Sequence, residues 1–201
     1  MTVVRGGGDG ANKLSSGRMT YLSLIAHPAT PMPQIDSLRV ALMPAGEGGL
    51  TARFDCRCRA GLLRLPESRP PEAADELWRH TCCELFVAAY GDAAYREFNC
   101  SPSGQWAMYG FSAYRVRDAS APNPGPPPAI TFAADARGWS LQARLAAAAL
   151  PGAAAGRLEF GAAAVLEDMD GNLSYWAPRH AAARPDFHLR ENFVLRMSEL
   201  Y

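Results

Sequence analysis

Leu50-Thr51-Ala52-Arg53-Phe54-Asp55-Cys56-Arg57-Cys58-Arg59 alternates without a break. Leu50, Ala52, Phe54, Cys56 and Cys58 fall on one side, and Thr51, Arg53, Asp55, Arg57 and Arg59 on the other. A period of two is that of a strand with one face in a core and the other in water. Trp139, Leu141, Ala143 and Leu145 alternate with Ser140, Gln142 and Arg144 in the same way. Further strands are predicted at 39–42, 82–90, 95–101, 105–114, 129–134, 157–166 and 192–197, most of them bounded by Gly, Pro, Asn or Asp. Pro102-Ser103-Gly104 predicts a hairpin turn, and Asp170-Gly171 a second tight turn. The best helix candidate is 146–150, stopped by Pro151-Gly152. Many short strands with little helix predict an all-β, two-sheet β-sandwich of jelly-roll or immunoglobulin-like type.

The 201 residues suit one domain. A fold of that size buries about 70% of the surface its unfolded chain exposes, so it needs neither disulfides nor metals to hold a core. Residues 1–18 read as a flexible Gly-rich tail, and 19–201 as a single sandwich domain. The Pro-rich stretches 65–76 and 118–129 read as loops, because strand patterning resumes beyond each. Lys+Arg 20 balance Asp+Glu 20, which argues against a nucleic-acid partner. No apolar run approaches the roughly 20 residues of a membrane span. No secretory signal is visible, so the expected location is cytoplasmic. Cys56, Cys58, Cys82, Cys83 and Cys100 have no zinc-site spacing and read as small buried hydrophobes.

Four constellations carry candidate chemistry. Trp78 ends a Pro-rich loop, and Glu84 lies in the strand after it, on a face expected to be solvated. Tyr95, Glu97, Asn99 and Ser101 share one face of the next strand and form a polar array suited to ring hydroxyls. Asp168-Met169-Asp170-Gly171-Asn172 has calcium-like oxygen spacing but lacks the distal Glu of a full loop; a hairpin turn explains it, with Asp168 and Asp170 as weak calcium candidates. Trp176, Arg179 and His180 follow that turn, and His180, Asp186 and His188 form a weak metal set. Glu84 and Glu97 have the composition of a glycosidase pair, but nothing marks either as an acid of raised pKa. The catalytic patterns G-x-S-x-G and H-E-x-x-H and the Rossmann glycines are absent.

In order along the chain, Leu77-Trp78…Glu84-Leu85-Phe86, Tyr95…Phe98-Asn99…Ser101-Pro102-Ser103-Gly104, Gly138-Trp139-Ser140-Leu141 and Tyr175-Trp176-Ala177-Pro178-Arg179-His180 resemble DOMON-like domains. Within that group the likeness is to family 9 carbohydrate-binding modules, over about residues 37–197. The resemblance implies a non-catalytic module that stacks a mono- or oligosaccharide between Trp78 and Trp176, with Glu84, Asn99, Asn172 and His180 bonding its hydroxyls. Thr81 stands where many relatives carry Asp. Two alternatives use the same scaffold. One is a protein-interaction module whose sugar site is lost. The other is a heme-binding domain with axial ligands among Met108, Met169, His80, His180 and His188.

Overall fold

The computed structural model describes residues 20–120, 125–152 and 157–196. The expected tail at 1–18 lies outside the described residues. The strands are β1 (Thr20–Ala26), β2 (Ile35–Ala45), β3 (Gly49–Cys58), β4 (Cys82–Ala89), β5 (Tyr95–Cys100), β6 (Trp106–Ala113), β7 (Val116–Arg117), β8 (Ala129–Asp135), β9 (Gly138–Leu145), β10 (Leu158–Glu167), β11 (Leu173–Ala177) and β12 (Leu195–Arg196). Every strand pairing is antiparallel. The first sheet has the order β1-β2-β3-β9-β8, and the second β7-β6-β5-β4-β10-β11, with β12 also on β10. β1 belongs to both. Its residues Thr20 to Leu24 pair with β2, and Ile25 and Ala26 then pair with Ala177 and Trp176 of β11. A strand that changes sheets closes one corner of a sandwich.

The two inner faces share one core. Val40, Phe54 and Leu141 stand in one row across β2, β3 and β9. They belong to the same buried cluster as Leu85, Phe98 and Phe160 of the second sheet. The alternation in β3 is realised residue by residue: Leu50, Ala52, Phe54, Cys56 and Cys58 are buried, and Arg53 turns outward to bond Asp55 at 2.9 Å. All five cysteines are buried and unbridged, as expected of small core residues.

The 146–150 helix is only a 3-10 turn at Ala147–Ala149, too short to bury an amphipathic face. β2 runs from Ile35, well before the predicted 39, because a register shift between Ile35 and Ser37 interrupts its alternation. β1, β7 and β11 are additional strands. The Pro102-Ser103-Gly104 hairpin forms as predicted, with Ser101 N–H bonded to Gln105 O at 3.0 Å.

The middle of the second sheet is buried on both faces. Cys82 through Ala88 of β4 are all buried. A strap at 72–80 crosses the outer face, tied down by Ala74 N–H to Trp106 O at 2.9 Å and by Tyr109 Oη–H donating to Asp75. From the other side the segment 185–193 lays Phe187 and Phe193 on the same face. Gly161 makes room for it, since a Cβ there would come within 2.9 Å of the Phe193 ring.

The hairpin into β9 depends on Gly138, whose φ is +138° and where a Cβ would stand 1.9 Å from Cys56 O. Gly138→Ala is therefore expected to destabilise the fold by at least about 2 kcal/mol, through backbone strain and a lost β3–β9 pairing. Urea unfolding checks this, and a variant as stable as the parent would contradict it.

Candidate functional site

Alternation places the site. On the outer face of the second sheet, Ala163, Glu84, Asn99 and Ala107 form one cross-strand row, and Gly161, Phe86, Glu97 and Tyr109 the next. Glu84 and Glu97 are thus diagonal neighbours on adjoining strands, with side chains within reach of each other. Trp78 hangs over this face from the strap, in the 3-10 turn Leu77–Arg79, its ring edge-on to Tyr109 at 6.0 Å. Tyr175 rises from β11 beside Val165, its ring 6.1 Å from that of Phe187. Between them lies a cleft of about 340 Å³ floored by Glu84, Glu97 and Val165 and flanked by Trp78, Tyr175, Phe111, Phe187, His188, Arg115 and Arg117.

Both carboxyls are withdrawn from water. Glu84 is 4% exposed and Glu97 5%. Burial, and then the neighbouring Glu97, push the Glu84 carboxyl well above its ordinary range. Burial raises Glu97 to about 7, against a hydrogen bond from Asn99 Nδ2 at 2.8 Å that favours its charged form. Glu84 accepts no hydrogen bond among the described residues. The nearby cations have other partners. Arg115 donates to Asp186 at 2.9 Å, and the Arg117 guanidinium lies 3.5 Å from the centroid of the Tyr109 ring. Burial pushes Asp186 up, but hydrogen bonds from Tyr114 and Arg115 more than reverse this and hold it low. His188 meets Tyr95 Oη through Nδ1 at 2.8 Å, and burial beside Arg115 lowers its pKa to about 4.

Of the six residues expected to bind, Trp78 and Glu84 line the cleft. Asn99 lies beside it and supports Glu97, with its Oδ1 buried and unpartnered. The expected solvated setting of Glu84 is corrected: the strap and the 185–193 segment cover it. Trp176 is corrected too. It is 6% exposed and packs in the inter-sheet core, opposite the face that carries Trp78, so the two indoles do not flank one slot. Its register partner is Ala164, which points inward; Tyr175, one residue earlier, points outward. Asn172 is exposed and bonds Asp168, whose carboxylate also receives the N–H groups of Asp170 and Asn172 and so closes the predicted turn. His180 is outside the cleft lining and meets Ile25 O at 2.9 Å.

The other candidates are dispersed. Met108 is in the core, Met169 is exposed in the turn, and His80 meets Glu167 at 2.7 Å in a separate groove behind the strap. Among the described residues no cluster of three His, Cys, Asp or Glu side chains is arranged for a metal ion. Arg115, Arg117, Tyr175 and Phe187 were missed by sequence reasoning. Only Tyr175 had a signal, its place one residue from Trp176.

No protein-family model matches the chain, and no curated protein matches it. Its fold is similar to that of a solved structure, a putative carbohydrate-binding protein from Bacteroides uniformis, with a TM-score of 0.59. The two chains are 15% identical, and the match covers 87% of this chain and 84% of the other. At that identity the likeness is one of fold.

The pH dependence of stability tests the buried acid. Folded Glu97 keeps its proton up to about pH 7, whereas an unfolded carboxyl releases its own near 4.5. The stability this contributes is present at low pH and is lost as pH rises through that interval. His188 acts in the opposite sense, costing stability as pH falls from 6.5 toward about 4. Glu97→Gln should therefore gain on the parent steadily between about pH 4.5 and about pH 7. Urea melts across that range check it, and a difference that does not change with pH would contradict it.

Proposed function

We propose that the chain is a non-catalytic saccharide-binding module whose site is the cleft on the outer face of the second sheet. The observation that carries this reading is two aromatic side chains, Trp78 and Tyr175, lining one open cleft with two carboxyls, Glu84 and Glu97. A pyranose presents an apolar C–H face that stacks on such rings and hydroxyls that donate to such carboxyls. The reading agrees with the resemblance to DOMON-like domains and family 9 carbohydrate-binding modules, with Tyr175 in the role first expected of Trp176. It agrees also with the carbohydrate-binding description of the structurally similar Bacteroides protein.

Binding suits the cleft better than hydrolysis. A retaining or inverting glycosidase places its carboxyls on either side of the scissile bond and keeps one of them ionised. Here both rise from one floor, and both are held toward the neutral form.

Tryptophan emission should shift when a panel of mono- and oligosaccharides is titrated in. Trp78→Ala is expected to weaken binding roughly tenfold or more, the scale of a lost stacking ring. Trp176→Phe, which keeps the core filled, should retain the affinity measured by calorimetry. No response to any sugar in a broad panel, or loss of binding in Trp176→Phe alone, would overturn the assignment.

A further inference from the structure

The cleft sets two withdrawn carboxyls beside two guanidinium groups. Glu84 shares the cleft with Glu97 of β5, Arg115 and Arg117 of the β6–β7 end, His188 of the covering segment and Tyr175 of β11, and Asp186 bonds Arg115 outside the lining. β10 contributes only the apolar Val165 to the lining. Asp186 takes Arg115 at 2.9 Å, and Arg117 is laid on Tyr109. Glu97 has Asn99 as its donor at 2.8 Å and stands 3.8 Å from His188 Nε2. Glu84, only 4% exposed, lines the cleft with no hydrogen-bond partner among the described residues. Its oxygens are not among the sealed, unpartnered polar atoms, so they open onto the cleft, where a donor on an entering guest can take the place of water. The walls above it are rings, and aromatic faces attract cations as well as sugars.

We infer that the saccharide taken by this cleft carries a free amino group, whose ammonium sits by Glu84 and Glu97 beneath the Trp78 and Tyr175 rings. The inference rests on the saccharide reading above and adds the chemical class of the sugar. An ammonium supplies up to three donors to the two carboxyls. Ionising one of the two carboxyls for a cationic guest releases a proton, because the empty cleft holds both toward their neutral form.

The test is calorimetric titration of the full chain, at a pH of about 6, with three trisaccharides: the β-1,4 trimer of glucosamine, its N-acetylated form and the matching trimer of glucose. The glucosamine trimer is expected to bind at least about tenfold more tightly than the other two. Its titration in two buffers of different ionisation enthalpy should show proton release, and Glu84→Gln should narrow the preference. Equal or tighter binding of the neutral trimers would overturn the inference and leave the saccharide site standing. Binding of none of the three would overturn both. A preference undiminished in Glu84→Gln would overturn the inference as well, since the ammonium would then be held elsewhere.

Discussion

The character of the cleft follows from the desolvation of two carboxyl groups on adjoining strands. Glu84 and Glu97 would be ordinary wet strand acids if the second sheet had one open face. The strap at 72–80 and the segment at 185–193 remove that water, and burial then governs both groups. The cover is held by a second apolar layer outside the main core. Tyr95 stacks on Phe111 at 4.6 Å, and Phe86, Phe187 and Phe193 pack around them. The acids are therefore coupled to the fold through this aromatic layer. Any change that loosens the layer rehydrates the carboxyls and alters what the cleft attracts.

The architecture was legible where one face of a strand is wet. β3 and β9 announce themselves because arginines and polar residues alternate with the core side. β4, β5, β6, β8 and β10 were also readable as extended segments between turn residues. What could not be read was the second covering. The strap and the 185–193 segment have no hydrophobic period, and their packing depends on long-range contacts such as Phe193 against Gly161. β2 was truncated for a different reason: the shift between Ile35 and Ser37 breaks the period at the point where the strand begins.

The site was legible in part. The shared face of Tyr95, Glu97 and Asn99, and the pairing of Trp78 with Glu84, follow from alternation and from order along the chain. Trp176 was expected in the cleft from the resemblance, with no strand predicted around it; along β11 a step of one residue moves a side chain from one face of the sheet to the other. Its neighbour β10 should have settled the register, since Ala164 pairs with Trp176 and Val165 with Tyr175. But Ala162, Ala163, Ala164, Val165 and Leu166 are all apolar, and a strand buried on both faces carries no period to read.

The two sheets also show why a shared fold leaves chemistry open. Their outer faces are built alike, yet the first keeps Arg39, Arg57 and Arg144 exposed to solvent while the second encloses its acids. The difference lies in the segments that cross each face, and it decides whether a charged strand residue is screened by water or left in want of a partner. A shared fold, such as that of the Bacteroides protein at 15% identity, does not fix those segments. What this cleft attracts therefore depends on which groups its covers leave unpartnered, and the Glu84 carboxyl is one of them.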